Sequence, residues 1–172
     1  MNIQFKPMTE SDIPQWLAWT EKPYVKDVWF ISGYETREAI YQKVKGNGYT
    51  YPFILMIDDK PVGYIQGEDL YRLRLARSDI KGPFSQEEPG TFCIDIFIGE
   101  EEYLNKGYGT QIIKKFVEKL FTEFNTKRIL IDPAASNKRA IRCYEKAGFS
   151  FLRKDWDGIT ECCILKIDKN KS

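Results

Sequence analysis

CIDIFIGEEEYLNKGYGT, residues 93–110, is the stretch on which the reading of this chain turns. Ile94, Ile96, Phe97 and Ile98 form an apolar run rich in β-branched and aromatic residues, which predicts a buried strand. An acidic turn follows at Glu100–Glu102, then Asn105-Lys106-Gly107-Tyr108-Gly109-Thr110, then a helical pattern. Two glycines separated by one residue, set between a strand and a helix start, let backbone N–H groups come close to an anion. The helix N-terminus adds unpaired donors and partial positive charge. These residues leave two readings open: a phosphate cradle, or a plain strand–turn–helix whose glycines serve tight turning.

Working outward, Tyr108, Ile112, Phe116, Val117 and Leu120 share one helical face. Lys127–Ile131 reads as a strand ended by Asp132-Pro133. Asn137–Ala147 reads as a helix with Ala140, Ile141 and Tyr144 inward and Gly148 closing it. Phe149–Leu152 and Thr160–Ile167 are the last two strands, with a turn at Asp155–Gly158, and 166–172 reads as a frayed tail. On the other side, Leu70–Gly90 reads as a long polar loop. Tyr51–Ile57 and Val62–Gln66 form a hairpin that turns at Asp58-Asp59-Lys60-Pro61. Thr36 caps a helix through Ile40, Tyr41 and Val44, stopped by Gly46-Asn47-Gly48, while Glu21–Gly33 shows no clear period. Thr9 or Ser11 caps a helix carrying Ile13, Trp16, Leu17 and Trp19, and Ile3–Pro7 opens the chain as a strand. The order β-α-α-β-β-β-α-β-α-β-β predicts a single α/β domain over residues 1–172, with one central mixed sheet and helices on both faces.

Composition narrows the chemistry. A chain of 172 residues, 42% hydrophobic and 15% aromatic, can bury one real core. Its net charge of +1, from 26 basic and 25 acidic residues, argues against a nucleic-acid partner. No apolar run reaches the length of a membrane span, and Met1–Glu10 lacks a signal-peptide pattern, so a cytoplasmic protein with no membrane partner is expected. There is no histidine, and Cys93, Cys143, Cys162 and Cys163 have no CxxC spacing. A catalytic His, Ser–His and Cys–His pairs, and His-containing zinc sites are therefore excluded, and no metal is expected. The cysteines read as small hydrophobes in a reducing compartment. Carboxylates, tyrosine, lysine and backbone dipoles remain to carry any chemistry.

Asp132-Pro133-Ala134-Ala135-Ser136-Asn137-Lys138-Arg139-Ala140-Ile141-Arg142-Cys143-Tyr144-Glu145-Lys146-Ala147-Gly148-Phe149 is the most specific string in the chain. With Ile94-Asp95, Phe97–Glu100, Lys106–Thr110 and Pro61–Gln66, it resembles the GCN5-related N-acetyltransferases (GNAT), in particular their aminoglycoside 6′-N-acetyltransferase branch. The resemblance runs from Trp29 to about Leu165. It implies that acetyl-CoA lies in a cleft splayed between the strands at 94–98 and 128–131. The pyrophosphate would sit on Lys106, Gly107, Tyr108, Gly109 and Thr110. The pantetheine would pair with the backbone of Ile96, Phe97 and Ile98 like an added strand, Asn137 would bind its arm, and Tyr144 would face the sulfur. Leu104 stands where the wider superfamily's loop usually begins with Gln or Arg, a small loss in a loop that acts through backbone donors. Ile96 stands where part of the branch has a glutamine.

Amine acetylation needs a neutral amine, a stabilised oxyanion and a protonated leaving thiolate. Tyr144 suits the last task, since a phenol at close range protonates a thiolate; its spacing alone also fits a core aromatic. Asp95 lies inside an apolar strand, where an unpaired carboxylate is costly, so it faces either a partner such as a lysine or a cleft in which it holds or deprotonates an ammonium. The backbone N–H groups of Ile96–Ile98 would polarise the thioester carbonyl. The resemblance places Asp79, Asp95, Asp132 and Asp157 at or near the acidic positions that bind a polycationic aminosugar, with Glu87 and Glu88 as further acids. Asp132 also suits simple strand termination, and Glu100–Glu102 reads as a solvated turn. Trp29 matches an acceptor-side tryptophan or packs in the core, and Trp156 reads as core or loop support. The expected activity is direct acetyl transfer from acetyl-CoA to the 6′-amine of an aminoglycoside in a ternary complex, by a monomer or homodimer. Another small amine, a siderophore precursor or a protein N-terminus are the alternative acceptors. A non-catalytic acetyl-CoA-binding module is the alternative of another class.

Overall fold

The computed structural model describes residues 1–30, 35–79, 82–84 and 86–170. Seven strands form one mixed sheet, accompanied by six α-helices among the described residues. The chain packs as two compact units, Met1–Gly67 with Asp95–Gly107 and Glu68–Ile94 with Tyr108–Ser172.

The first unit opens with β1 (Ile3–Pro7). The Thr9 N–H donates to the Asp12 carboxylate at 2.9 Å and starts a short 3₁₀ turn, Glu10–Asp12, which leads into α1 (Ile13–Thr20). Then come α2 (Pro23–Trp29), α3 (Ala39–Lys45), β2 (Thr50–Ile57) and β3 (Lys60–Asp69) as far as Gly67. The later half of β4 (Thr91–Ile98) completes the order β1-β2-β3-β4. β1 runs antiparallel to β2, with Ile3 opposite Ile57 and Pro7 opposite Phe53. The β2–β3 hairpin turns on Asp58 and Asp59, both in the left-handed region at φ 48° and 63°, which is the turn geometry that matches strand twist. Trp16, Trp19, Tyr64, Ile13, Ile40, Ile54 and Phe97 form the core of this unit. Tyr64 stacks on Phe97 with ring centroids 5.5 Å apart.

The second unit holds the end of β3, α4 (Leu70–Ala76), the first half of β4, α5 (Gly109–Glu123), β5 (Arg128–Ile131), α6 (Lys138–Lys146), β6 (Ser150–Trp156) and β7 (Glu161–Asp168). Its strand order is β4-β5-β7-β6. β4 and β5 are parallel, joined by α5 as the crossover that parallel pairing needs. Their paired positions run only from Thr91↔Arg128 to Cys93↔Leu130. β5–β7 and β7–β6 are antiparallel. α5 buries Ile112, Ile113, Phe116, Val117 and Leu120, the stripe its sequence period predicts with Ile113 added.

Several expectations are corrected. The stretch without a period contains α2, which starts with Pro23 at its first turn and buries only Val25, too little to produce a visible stripe. Residues 31–34 of that stretch lie outside the described residues. The long loop begins with α4, capped by the Asp69 carboxylate accepting from the Arg72 N–H at 3.0 Å and burying only Leu70. The tail is ordered to Asp168, because Lys166, Ile167 and Asp168 continue β7 against β5 and the Arg128 guanidinium meets Asp168 at 2.5 Å. In α3, Tyr41 is exposed and Lys43 is buried, since the packed face follows Ile40 by three residues. Trp156 is 58% exposed, at the end of edge strand β6, and is no core residue.

Candidate active site

In the first unit, Asp95 sits half-buried in β4 directly after the buried Ile94. Its Oδ2 accepts a hydrogen bond from Gln66 Nε2 on β3 at 2.9 Å. Gln66 is fully buried, and its Oε1 accepts from Lys43 Nζ on α3 at 2.9 Å and from the Tyr64 hydroxyl at 2.8 Å. Lys43 Nζ also reaches both carboxylate oxygens of Glu35 at 2.6 Å, and Gln66 Nε2 lies 3.4 Å from Glu35 Oε1. Burial raises the Asp95 carboxyl above its ordinary value of 3.8; the Gln66 N–H opposes that rise, the Glu35 charge adds to it and the Lys43 charge opposes it. The partner a carboxylate in an apolar strand requires is thus a neutral amide, with the lysine one residue removed. Among the described residues no cation bonds Asp95 itself.

The end of β4 beyond it is tightly held. The N–H groups of Gly99 and Glu100 both donate to the Val62 carbonyl, at 2.8 and 3.1 Å. A Cβ at Gly63 would stand 2.4 Å from the Phe97 carbonyl, so only glycine permits this approach of backbones. Glu100 is no solvated turn residue: it accepts from Trp19 Nε1 at 2.7 Å and from Lys22 Nζ at 3.1 Å, and the Trp19 bond foremost holds its carboxyl below the usual range. Lys22 and the Tyr24 hydroxyl donate to the Gly99 carbonyl at 2.6 and 2.8 Å. Ile96, Phe97 and Ile98, the strand residues singled out for their backbone groups, therefore lie just before a fixed corner. Trp29 ends α2 packed edge-on against Phe97 (4.9 Å) and Tyr64 (5.6 Å), as part of the aromatic core. Its indole Nε1 is buried without a partner among the described residues.

Lys106 and Gly107 are exposed, with Gly107 at φ 77°. In the second unit, Tyr108 leads into α5, whose N-terminus carries no side-chain cap; Ile112 N–H bonds back to the Tyr108 carbonyl at 3.0 Å. A Cβ at Gly109 would stand 3.1 Å from Cys143 Sγ, and Thr110 Oγ1 lies 3.5 Å from the same sulfur. Asn137 Oδ1 accepts from the Ala140 N–H at 3.1 Å and caps α6. Replacing Asn137 by alanine is expected to cost about 1 kcal/mol of stability, read as a lower urea midpoint. Tyr144, on α6, is half-buried with its ring 6.2 Å from Phe149, so it is not a fully buried core aromatic.

The acids of the second unit divide. Asp132, after β5, and Asp157, in the β6–β7 turn, both act with Asp155 on Cys162. Burial first, and then these charges, push the Cys162 thiol up to about 11. One oxygen of Asp157 also accepts from the N–H groups of Ile159 and Thr160, both at 2.8 Å. Asp79 stands apart on the surface, its two oxygens each 3.0 Å from Arg77, which holds its carboxyl below the usual range. Glu87 pairs with Arg153 at 3.0 Å, and the Glu88 carbonyl accepts from Thr91.

Glu35 and Lys43 are the residues that the sequence did not single out, and Gln66 appeared there only within a motif. A glutamine inside an apolar strand is itself a signal, because a buried amide must find partners. Lys43 shares the buried face of Ile40, but a lysine in a short helix reads as solvated. Glu35 offers no local signal at all.

The sequence matches the family described as "Acetyltransferase (GNAT) domain" over residues 8–155. It is 33% identical over 156 residues to the "Aminoglycoside N(6')-acetyltransferase type 1" of Klebsiella pneumoniae, a match covering 86% of this chain and 74% of that protein. Crystal structures of the aminoglycoside acetyltransferase AAC(6')-Ib, one in complex with coenzyme A and one with coenzyme A and kanamycin, align with TM-scores of 0.81 and 0.80. Each is 26% identical and covers 98% of this chain and 95% of its own. Among the described residues no helix is long and apolar enough to cross a membrane.

Proposed function

The chain belongs to the GNAT acetyltransferase family, and on that premise we propose that it transfers the acetyl group of acetyl-CoA directly to the 6′-amine of an aminoglycoside. The observation that carries this reading is Asp95: a half-buried carboxylate, raised above its usual range, held by a neutral donor and bonded by no cation among the described residues. Such a group is suited to bind a substrate ammonium and to remove its proton.

Asp95 takes the proton from the amine, directly or through a water. The amine nitrogen then attacks the thioester carbonyl, whose developing negative charge is met by backbone N–H groups of Ile96–Ile98. Collapse breaks the C–S bond, Tyr144 gives its phenolic proton to the departing sulfur, and the second proton lost by the acylated nitrogen passes through solvent to the Tyr144 phenolate, leaving a neutral amide and a free thiol. The Lys106–Thr110 loop and the uncapped start of α5 offer backbone donors to the pyrophosphate of acetyl-CoA, and Asn137 contacts the pantetheine. Asp132 and Asp157 meet further ammonium groups of the aminosugar, and Trp29 lies on the acceptor side. Asp79 joins them only by releasing Arg77. An acyl-enzyme is disfavoured on three of the four cysteines: Cys93, Cys162 and Cys163 are buried, and the Cys162 thiol is held protonated near neutrality. Acetyl-CoA as co-substrate makes the cytoplasm the working compartment.

Two outcomes are expected. Gly107→Ala places a side chain at φ 77°, a strain of about 1 kcal/mol that the free loop relieves by leaving this conformation, and is expected to weaken acetyl-CoA binding roughly fivefold by calorimetry, since binding must restore it. The pH profile of kcat/KM should show an acid limb above 3.8, because a raised carboxyl becomes charged only at higher pH; Gln66, Glu35 and Lys43 are the groups that set its position. A limb at or below 3.8 would contradict the role of Asp95.

Thiol release from acetyl-CoA with kanamycin, spermidine and a peptide with a free N-terminus tests the acceptor. Turnover on kanamycin above the other two is expected. Turnover confined to spermidine or the peptide would replace the acceptor class, and cofactor binding with no turnover on any amine would leave only a binding module.

A further inference from the structure

Lys43 is 7% exposed, and burying an ammonium is expensive unless it is paired and fully hydrogen-bonded. Glu35 supplies the counter-charge with both oxygens at 2.6 Å. Packing alone would be served as well by an apolar side chain at 43 and a neutral one at 35, since a buried ion pair rarely outweighs its desolvation. What the pair adds is direction. An ammonium has only donors, so the atom of the Gln66 amide that faces Lys43 must be the oxygen. The Tyr64 hydroxyl occupies the second lone pair of that oxygen at 2.8 Å. The amide NH₂ is thereby turned to Asp95 Oδ2 at 2.9 Å and to Glu35 Oε1 at 3.4 Å. With Lys43 removed, Gln66 Oε1 keeps the Tyr64 hydroxyl, a group that can accept from an NH₂ as well as donate to an oxygen, so the amide's direction is left to the Asp95 and Glu35 carboxylates alone.

We propose that Lys43, anchored on Glu35, is a positioning residue for acetyl transfer: it locks the Gln66 amide with its NH₂ toward Asp95 and so fixes the carboxylate that meets the acceptor amine. The arrangement has a chemical advantage over a direct Lys–Asp pair. A cation against Asp95 would compete with the substrate ammonium, whereas a neutral amide orients the carboxylate and leaves its charge available. The inference rests on the reading of Asp95 given above.

The test compares Glu35→Gln, Lys43→Met and the double variant, because Lys43→Met alone strands the Glu35 charge and the double variant leaves none stranded. Folding is checked by circular dichroism and thermal melting. With kanamycin as acceptor, the double variant is expected to fall roughly tenfold or more in kcat/KM below wild type, with the KM for acetyl-CoA changed less than about twofold. If Lys43 merely neutralises Glu35, the double variant, with neither charge stranded, will match wild type, and the proposal is overturned. The side-chain ¹H–¹⁵N resonances of Gln66 give a readout that needs no turnover. They are expected to move, with faster proton exchange, in the folded double variant relative to wild type. Unchanged resonances would overturn the proposal, whereas moved resonances in a protein whose wild type does not use kanamycin would support it and count against the acceptor assignment alone.

Discussion

Asp95→Asn is expected to lower kcat/KM for kanamycin about 100-fold or more, the range that loss of a positioned general base produces. Asparagine keeps the shape, and its Oδ1 still accepts from Gln66 Nε2, so the chain Lys43–Gln66–residue 95 survives while the proton acceptor and the negative charge disappear. Stability should move the other way. The folded carboxyl of Asp95 is raised, so the folded state holds its proton to higher pH than the unfolded state does. This group therefore costs stability as pH rises through and above that window. Removing its charge is expected to leave the melting temperature at pH 7 unchanged or higher. A folded Asp95→Asn protein that keeps activity within about threefold of wild type would remove Asp95 from the mechanism. A variant that loses activity because it unfolds would contradict the stability half of the argument.

Trp19→Ala is expected to destabilise the protein by about 3–5 kcal/mol, a large share of the stability of a chain this size. The indole is fully buried, stands edge-on to Phe97 at 6.3 Å and donates to Glu100 at 2.7 Å. Its ring also fills the space beside Gly99, where an added Cβ would come within 2.3 Å of it. Truncation therefore empties a core site, leaves Glu100 with Lys22 alone and loosens the corner that ends β4. Urea unfolding read by tyrosine and tryptophan fluorescence measures the cost. A loss below about 2 kcal/mol would show that the corner is held by Val62, Lys22 and Tyr24 without it.

How far the sequence foretells this structure depends on where each signal is stored. β1 matches its expected bounds, and the hairpin turns where Asp58-Asp59 interrupts two apolar runs, because strand alternation and turn residues are local properties. α6 begins at its Asn137 cap for the same reason. α2 and α4 are hidden because each buries a single residue, Val25 or Leu70, and leaves no periodic stripe. At the site, Asp95 is legible: a carboxylate in an apolar strand demands an explanation. Its neighbours Lys43 and Glu35 are not, since their pairing is made by tertiary packing between α3 and the segment before it. Glu100 misleads in the opposite sense, an acid in an acidic run that turns out to bind Trp19.

Acetylation at one particular nitrogen distinguishes this activity from transfer to any accessible amine. The position of the acetyl group on kanamycin after incubation with acetyl-CoA is read by two-dimensional NMR of the isolated product. A single product carrying the acetyl group on the 6′-amine is expected, absent with Asp95→Asn. A product acetylated at another amine, or kanamycin recovered unchanged while acetyl-CoA binds, would contradict it.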